Sequence, residues 1–256
     1  MHPSEPPSGA YELLSTKLVP PQPRTSLTTR PRLLSRLNDG LSKKVTLISA
    51  PAGFGKTTLA GEWIAQRREH DELPSLAWVS LDEGDNDPVR FWRYVLTACR
   101  AYDGDAGETS LALLNRSPQP PFEALLTRFI NEVARVPGRM VLALEDYHLI
   151  TSRQIHETLV FFIDNAPATL HLLLLTRSDP PLPLARLRAY NELNELRAID
   201  LRFTMEEVHN FLKTAVSFPL SKAAAARLAQ RTEGWAAGLR LVALAVQRMA
   251  GQSEIE

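Results

Sequence analysis

The chain has 256 residues, and its 29 lysines and arginines balance its 29 aspartates and glutamates. A domain that binds DNA through its own charge usually carries a basic excess, so this balance argues against direct nucleic-acid contact by these residues. With 44% apolar and 23% charged residues, the composition is that of a globular protein and excludes a disordered or collagen-like chain.

Residues 1–30 are predicted to form an extended arm, because prolines recur there and cannot donate backbone hydrogen bonds. Pro31 stands where a helix begins and Gly40 where it stops, which predicts a helix over 31–39. Strand formers over 45–49, a turn-forming stretch and helical apolar spacing over 57–68 then follow. Their order predicts a strand, a loop and a helix.

This alternation of strand and helix patterns continues along the chain. Further apolar runs predict strands over 76–81, 140–144, 170–175 and 196–201. Helical spacing recurs over 89–100, 122–135 and 155–164, while 104–121 is rich in loop formers. Near-continuous apolar strands alternating with helices are typical of a parallel sheet covered on both faces. We therefore predict an α/β fold over residues 31–203, with a doubly wound five-stranded sheet in the order 5-1-4-3-2.

After residue 203 the pattern is helical only. Thr204, with Glu207 three residues later, has the spacing of a capping box for a helix that runs to about residue 213. Two further helices are predicted over 221–231 and 235–249. Residues 204–256 are therefore predicted to form a small helical subdomain.

Residues 50–57 read Ala-Pro-Ala-Gly-Phe-Gly-Lys-Thr, with Ala50 in the place of the usual first glycine of a phosphate-binding loop. Such a turn points successive N–H groups inward, and the following helix adds its positive N-terminal end. Lys56 would contact the β- and γ-phosphates, Thr57 would ligate Mg²⁺, and Thr58 would donate to the α-phosphate. The predicted phosphate contacts are Ala52, Gly53, Phe54, Gly55, Lys56, Thr57 and Thr58.

Two adjacent acids, Glu145 and Asp146, end the third predicted strand. They would lie at the carboxyl edge of the sheet, where ligands bind in such folds. Glu145 is predicted to hold the metal ion, and Asp146 to orient or deprotonate an attacking water. The alternative is that the two acids are only solvated side chains at a strand end and take no part in catalysis.

Two arginines are candidates for contact with the terminal phosphate. Arg177 follows the fourth strand, so it would sense that phosphate if the strand inserts between strands one and three. Arg188 is a second candidate, although an exposed helical arginine is an equally good interpretation. His148 matches no metal-ligand spacing, and we interpret it as polar packing.

Several segments together resemble the nucleotide-binding region of MalT-like transcriptional regulators, which are P-loop ATPases of the STAND class of signal-transduction ATPases. The resemblance runs over about residues 13–250, and its most specific parts are an aromatic and acidic segment and a Gly-Trp-Ala-Ala-Gly-Leu segment. The matching segments are 17–21, 50–58, 76–87, 144–149, 174–179 and 234–239.

The resemblance implies a switch that binds ATP or ADP with Mg²⁺. An ADP-locked resting monomer would open and self-associate on binding an inducer and ATP, and slow hydrolysis would reset it. The arm would close over adenine, with Leu27, Arg30 and Arg32 at the matching positions. The segment at Gly238 and Leu239 resembles one that approaches the nucleotide in related switches.

Two positions depart from the family pattern. Arg240 stands where some relatives carry proline, and Glu145 stands where the family commonly shows aspartate. Whole MalT-like regulators continue into a winged helix, a repeat sensor and a DNA-binding helix-turn-helix, which this chain is too short to hold. The chain is therefore expected to be a piece of a larger regulator.

Two alternatives to the switch stay open: an interaction module that binds nucleotide without significant hydrolysis, and a phosphotransferase built on the same loop. The single cysteine, Cys99, excludes an intrachain disulfide and is expected on a buried helix face in a reducing compartment. The apolar run over 170–176 is shorter than the roughly 20 residues that span a bilayer, so no membrane contact is expected. With no signal peptide pattern visible, the predicted location is the cytoplasm.

Overall fold

The fold was obtained as a computed structural model, and the residues it describes are 12–22, 28–69, 75–101, 106–116, 118, 120–216 and 221–253. A five-stranded sheet forms its centre, with strand order β2-β3-β4-β1-β5. Every neighbouring pair of strands is parallel. The strands are β1 Val45–Ser49, β2 Ser75–Ser80, β3 Met140–Glu145, β4 Leu170–Thr176 and β5 Leu193–Arg197. The predicted α/β class and strand order are confirmed.

Helices connect these strands and then continue beyond the sheet. The first seven are α1 Pro31–Gly40, α2 Lys56–Glu69, α3 Pro88–Arg100, α4 Glu108–Leu114, α5 Phe122–Val133, α6 Arg153–Asn165 and α7 Leu184–Ala189. The remaining four are α8 Ala198–Leu201, α9 Met205–Ala215, α10 Lys222–Thr232 and α11 Ala236–Ser253.

The sheet separates two apolar cores. On one face, α3, α5 and α6 bury large aromatic side chains, among them Trp92, Phe129 and Phe162. On the other face, α1 and α2 bury Leu33 and Trp63 against the sheet. Strands β1, β3 and β4 are buried along nearly their whole length, which explains why their sequences are continuously apolar rather than alternating.

Two sequence predictions of local structure are wrong. The fifth strand, predicted over 196–201, ends at Arg197, because the Asp200 carboxylate accepts a 2.7 Å hydrogen bond from the Arg197 amide and starts the short helix α8. The predicted loop 104–121 contains α4. That helix packs on α5, where the buried Ser110 hydroxyl donates to Glu132 at 2.9 Å.

The described part of the N-terminal arm is held against the fold rather than being extended throughout. A 3-10 turn, Ser15–Leu18, brings the buried Lys17 ammonium to the buried Asp85 carboxylate and over the Tyr94 ring, 4.5 Å from its centroid. Farther along, a Cβ on Gly61 would lie only 2.9 Å from the Pro21 carbonyl oxygen. The arm therefore crosses α2 where a glycine leaves room for it.

Helices α9, α10 and α11, called here the C-terminal helices, form a third apolar cluster of their own that includes Val208, Leu212 and Leu239. The predicted capping box is present, since Thr204 accepts from the Glu207 amide and the Glu207 carboxylate accepts from the Thr204 amide. Across the described ranges of the chain, every helix is too short or too polar to cross a membrane.

Candidate functional site

The loop between β1 and α2 has the backbone shape that its sequence predicts. Gly53 and Gly55 both adopt φ of 79°, in the left-handed region where a side chain is strained. Alternating conformations of this kind turn consecutive N–H groups toward one point. Because α2 begins at Lys56, its N-terminal dipole faces the same point. The loop is therefore built to hold an anion.

Lys56 lies inside this loop and is largely buried. Its Nζ donates to the carbonyls of Ala50 at 2.8 Å and Pro51 at 3.1 Å. Burial lowers the pKa of Lys56 below the ordinary lysine value, while the carboxylates of Asp146 and Glu145 act in the opposite direction. The two carbonyl partners of Nζ are neutral, and a bound polyphosphate would give this ammonium a negatively charged partner.

Glu145 connects the phosphate loop to the end of the neighbouring strands. Its Oε1 accepts a hydrogen bond from the Thr57 hydroxyl, and its Oε2 accepts one from Ser80 at 2.7 Å. The Trp78 indole donates to the same Ser80 hydroxyl at 2.9 Å and fixes it in place. A hydroxyl and a carboxylate at this spacing are ligands that suit Mg²⁺, directly or through water. Ser80 was not among the predicted site residues, although it ends a strand at the same edge of the sheet.

Asp146 and Arg177 lie within electrostatic range of Lys56. Both influence the Lys56 charge, with Asp146 raising its pKa and Arg177 lowering it. Asp146 adopts a left-handed backbone with φ of 54°, and its Oδ1 lies 3.7 Å from Nδ1 of His148. Burial lowers the pKa of His148 below the ordinary histidine value, and the charge of Asp146 acts in the opposite direction. Asp146 follows directly after β3, so this left-handed residue lies at the carboxyl edge of the sheet.

A cavity of about 590 Å³ extends from the phosphate loop toward the C-terminal helices. Its walls come from the arm at Thr28 and Arg30, from α2 at Thr58 and Glu62, and from α11. Cavities of roughly 300–1,000 Å³ hold ligands of nucleotide size. Arg30 donates to the Leu201 carbonyl at 2.7 Å, and burial lowers its pKa to about 10. Its guanidinium carbon lies 4.7 Å from the centre of the Phe203 ring.

The start of α11 rests directly on the phosphate loop. The Ala237 amide donates to the Gly53 carbonyl at 3.0 Å, and the Trp235 indole donates to the Ala52 carbonyl at 3.4 Å. A Cβ on Gly53 would lie 2.8 Å from the Ala237 methyl and 2.9 Å from the Trp235 indole nitrogen. The C-terminal helices therefore contact the loop backbone itself.

The conformation and packing of the Gly-Trp-Ala-Ala-Gly-Leu segment explain both of its glycines. Gly234 adopts φ of 71°, and its carbonyl accepts a 2.8 Å hydrogen bond from the Phe203 amide. Gly238 leaves room for the Trp235 ring, since a Cβ there would lie 2.8 Å from it. Leu239 is fully buried among the C-terminal helices. The segment thus fixes Trp235 and Ala237 over the phosphate loop.

Several residues predicted to bind the nucleotide do not line this cavity. Gly238 and Leu239 do not line the cavity; Ala236, Ala237 and Arg240 of the same helix do. Arg32 instead donates through Nε and Nη2 to the Glu207 carboxylate, at 2.8 and 3.0 Å. The amphipathic spacing of α11 was the signal that separates its cavity face from its core face.

The remaining predicted positions are Arg188, Phe54 and Leu27. Arg188 donates to both carboxylate oxygens of Glu195, at 2.7 and 2.8 Å, and lowers the Glu195 pKa to about 2. Arg188 is not among the residues that line the cavity, and its contact with the terminal phosphate stays a prediction. The side chain of Phe54 packs partly on the core beneath α2. Leu27 lies outside the residues that the structure describes.

Comparison with solved structures identifies the class of fold. A STAND protein with a tetratricopeptide repeat sensor from Pyrococcus horikoshii matches 84% of this chain and 29% of its own, with a TM-score of 0.55 and 14% identity. Cdc6p from Pyrobaculum aerophilum matches 94% of this chain and 67% of its own, with a TM-score of 0.57 and 14% identity. The chain has the fold of the P-loop nucleoside triphosphatases.

Comparison with curated sequences then identifies the relatives. The HTH-type transcriptional regulator MalT of Yersinia enterocolitica is 37% identical over 232 residues, which is 91% of this chain and 25% of that protein. MalT of Cronobacter sakazakii is 35% identical over 239 residues, 93% of this chain and 26% of that protein. No model of a protein family matches the chain. The resemblance to MalT-like regulators is confirmed, and the chain spans about a quarter of the length of these relatives.

Proposed function

We propose that this chain is the ATP- and ADP-binding switch module of a MalT-like transcriptional regulator. The nucleotide would occupy the 590 Å³ cavity, with its phosphates in the loop that contains Gly53 and Gly55. The balanced charge of the chain gives it no basic surface field for DNA, so the proposed role is control of the regulator rather than DNA contact.

One observation favours a switch over a module that only binds nucleotide. The amide of Ala237 and the indole of Trp235 donate hydrogen bonds to backbone carbonyls of the phosphate loop. A change in the phosphates moves this loop or alters its carbonyl dipoles. The C-terminal helices then respond, because their first turn is attached there. In a longer regulator, such a displacement would expose or cover the surface through which copies of the protein self-associate.

The metal ion and the hydrolytic step belong to the same proposal. Thr57 and Glu145 are the residues that would hold Mg²⁺, which when bound would neutralise charge on the β- and γ-phosphates. Asp146 would accept the proton of the attacking water or orient it, and Lys56 and Arg177 would stabilise charge on the terminal phosphate. Turnover is expected to be slow, as suits a switch.

A second candidate is a nucleotide-binding interaction module without significant hydrolysis. The observation in its favour is that both Glu145 oxygens already accept hydrogen bonds, one from Thr57 and one from Ser80. A carboxylate held in this way is less free to bind the metal ion that hydrolysis needs. The two functions differ in phosphate release. A single-turnover assay with ATP bound to excess protein separates them: slow release that is abolished by Asp146→Asn supports the switch, and no release over hours supports the module.

The proposed binding itself is tested with Lys56→Ala and a matched control, Lys43→Ala, which removes the same charge at the opposite end of β1. Isothermal titration calorimetry should detect ADP and ATP binding to the wild type and to Lys43→Ala. Lys56→Ala should bind at least tenfold more weakly, a difference of about 1.4 kcal/mol. Absence of binding heat from either nucleotide to the folded wild type, with Mg²⁺ present, would refute the proposal.

The coupling to assembly is tested by sedimentation of the chain with saturating ADP or ATP. Analogues that resist hydrolysis keep the triphosphate intact during the run. A nucleotide-dependent change in sedimentation coefficient is expected, through opening of the C-terminal helices or through association. Identical sedimentation profiles with ADP and with ATP would contradict the switch and favour the binding module.

A further inference from the structure

Beyond the phosphate loop, one wall of the cavity is the face of α2 that carries Thr58 and Glu62. These two residues are four apart, so they lie on the same helix face, about 6 Å apart along its axis. Thr58 lies in the first turn of α2, beside the phosphate loop. Glu62 therefore lies one turn farther from the phosphates, at the depth of the cavity where the base of a nucleotide would sit.

Two buried polar atoms in this wall have no hydrogen-bond partner within the described residues. They are Oε1 of Glu62 and Oγ1 of Thr28, and both residues line the cavity. A buried acceptor or donor without a partner costs free energy, so such atoms usually bind an ordered water or a ligand. Here one is an acceptor and the other is a hydroxyl that can donate.

The charge around Glu62 fits a neutral ligand edge that donates a hydrogen bond. Burial raises the pKa of Glu62, and the Thr29 hydroxyl and the Arg30 charge oppose that shift. The Arg30 guanidinium is held by the Leu201 carbonyl and stacked near Phe203. Hydrogen bonds from the Thr29 hydroxyl and the Arg30 amide engage the Glu62 carboxyl, and its Oε1 is the oxygen that stays without a partner among the described residues.

We infer that Glu62 reads the purine base, with its Oε1 accepting a hydrogen bond from the exocyclic amino group of adenine. Thr28 would donate to a ring nitrogen of the same base. Guanine presents a carbonyl oxygen where adenine presents the amino group, so it would place two acceptors against each other. This inference rests on the proposed nucleotide binding and assigns the preference for adenine to a side chain of α2.

The test compares ADP with purine riboside 5′-diphosphate, which lacks only the amino group. Calorimetric or competition titrations give the ratio of the two dissociation constants for each variant. The wild type should bind ADP about tenfold more tightly, as one hydrogen bond to a charged group predicts. Glu62→Ala should reduce this ratio to within about twofold of unity, and Glu62→Gln, which keeps a carbonyl oxygen, should retain a ratio of about threefold.

The matched control is Glu69→Ala, which removes an exposed carboxylate from the same helix and should keep the wild-type ratio. A wild-type protein that binds both diphosphates equally overturns this inference but leaves the proposed function in place. A protein that binds neither overturns both. The ratio of the dissociation constants of 2′-deoxy-ADP and ADP measures the contact with the ribose. If Glu62→Ala lowers this ratio and leaves the ratio for the purine amino group unchanged, Glu62 binds the ribose and the inference is overturned. If Glu62→Ala does not fold, the wild-type ratio and Glu62→Gln still decide.

Discussion

Burial keeps two titratable side chains of this chain, His171 and Cys99, uncharged at neutral pH. His171 lies on β4 with only 3% of its surface exposed, and its Nδ1 is 2.8 Å from the Lys43 carbonyl oxygen. Burial lowers its pKa to about 4, and the charge of Arg139 acts in the same direction. Burial also raises the pKa of Cys99 to about 12, so this thiol is not a nucleophile at neutral pH. The expectation of a buried cysteine on a helix is confirmed.

His171 is expected to control the acid side of the stability profile. Its folded-state pKa of about 4 lies below its ordinary value of 6.5, so between these pH values the unfolded chain binds more protons. Its contribution is complete above pH 6.5 and is lost as the pH falls toward 4, by about 2–3 kcal/mol. His171→Asn, which keeps a donor to the Lys43 carbonyl but cannot titrate, should flatten this loss. Urea unfolding from pH 4 to 7 measures it, and equal slopes in both proteins would contradict the assignment.

At the scale of single elements, the phosphate loop and α11 depend on the same glycine. Both Gly53 and Gly55 require a positive φ, but their surroundings differ. Around Gly55 the nearest atoms to an added Cβ lie at 3.8 and 3.9 Å, which is ordinary contact. At Gly53 the Ala237 methyl and the Trp235 ring lie within 3.0 Å. Gly53 therefore shapes the loop and also permits α11 to dock on it.

Alanine substitutions at these two glycines separate the two roles. Each should destabilise the loop by about 1–2 kcal/mol because of its positive φ. Only Gly53→Ala should also push Trp235 off the loop. Trp235 is 37% exposed, whereas the other three tryptophans are at most 2% exposed, so acrylamide quenching reports mainly on Trp235. Quenching should increase in Gly53→Ala and not in Gly55→Ala, and Trp235→Phe should abolish the difference. Equal quenching in the two variants would show that α11 does not rest on the loop in solution.

At the scale of the whole molecule, a second contact fastens the C-terminal helices to the sheet domain. Arg32 of α1 donates to the carboxylate of Glu207 and to the backbone carbonyls of Asp200 and Arg202, at 2.7–3.0 Å. The same Glu207 carboxylate caps the first turn of α9. One guanidinium therefore joins α1, the end of α8 and the start of α9.

Loss of Arg32 should loosen the C-terminal helices from the sheet domain. The Glu207 side chain is only 10% exposed, but Arg32 is 37% exposed, so solvent weakens the pair and Arg32→Ala should cost about 1–2 kcal/mol. Arg32→Lys should restore little, since lysine cannot form the two parallel hydrogen bonds. Urea unfolding measures the cost, and hydrogen exchange of the α9 amides should accelerate. Arg153→Ala, which breaks a fully exposed ion pair with Glu157, is the control and should change neither quantity. An Arg32→Ala protein indistinguishable from that control would contradict this coupling.

The sequence by itself determined the parallel sheet and the phosphate loop, because both are written in local patterns. Near-continuous apolar runs at β1, β3 and β4 predict strands buried on both faces, and Gly53 and Gly55 predict a loop whose positive φ angles favour glycine. Local patterns were insufficient at β5, an edge strand whose residues are only partly buried and which the capping carboxylate of Asp200 ends early.

Only the tertiary structure decided which side chains meet across the site. Arg32 and Arg30 are two residues apart and chemically alike, yet one fastens α9 and the other lines the cavity. Gly238 lies against Trp235, and Ala237 of the same helix reaches the phosphate loop. Glu62 belongs to no sequence motif that would have identified it. Its position depends on packing between α2, the arm and the C-terminal helices, and contacts between residues so distant in sequence follow from the whole fold rather than from any segment.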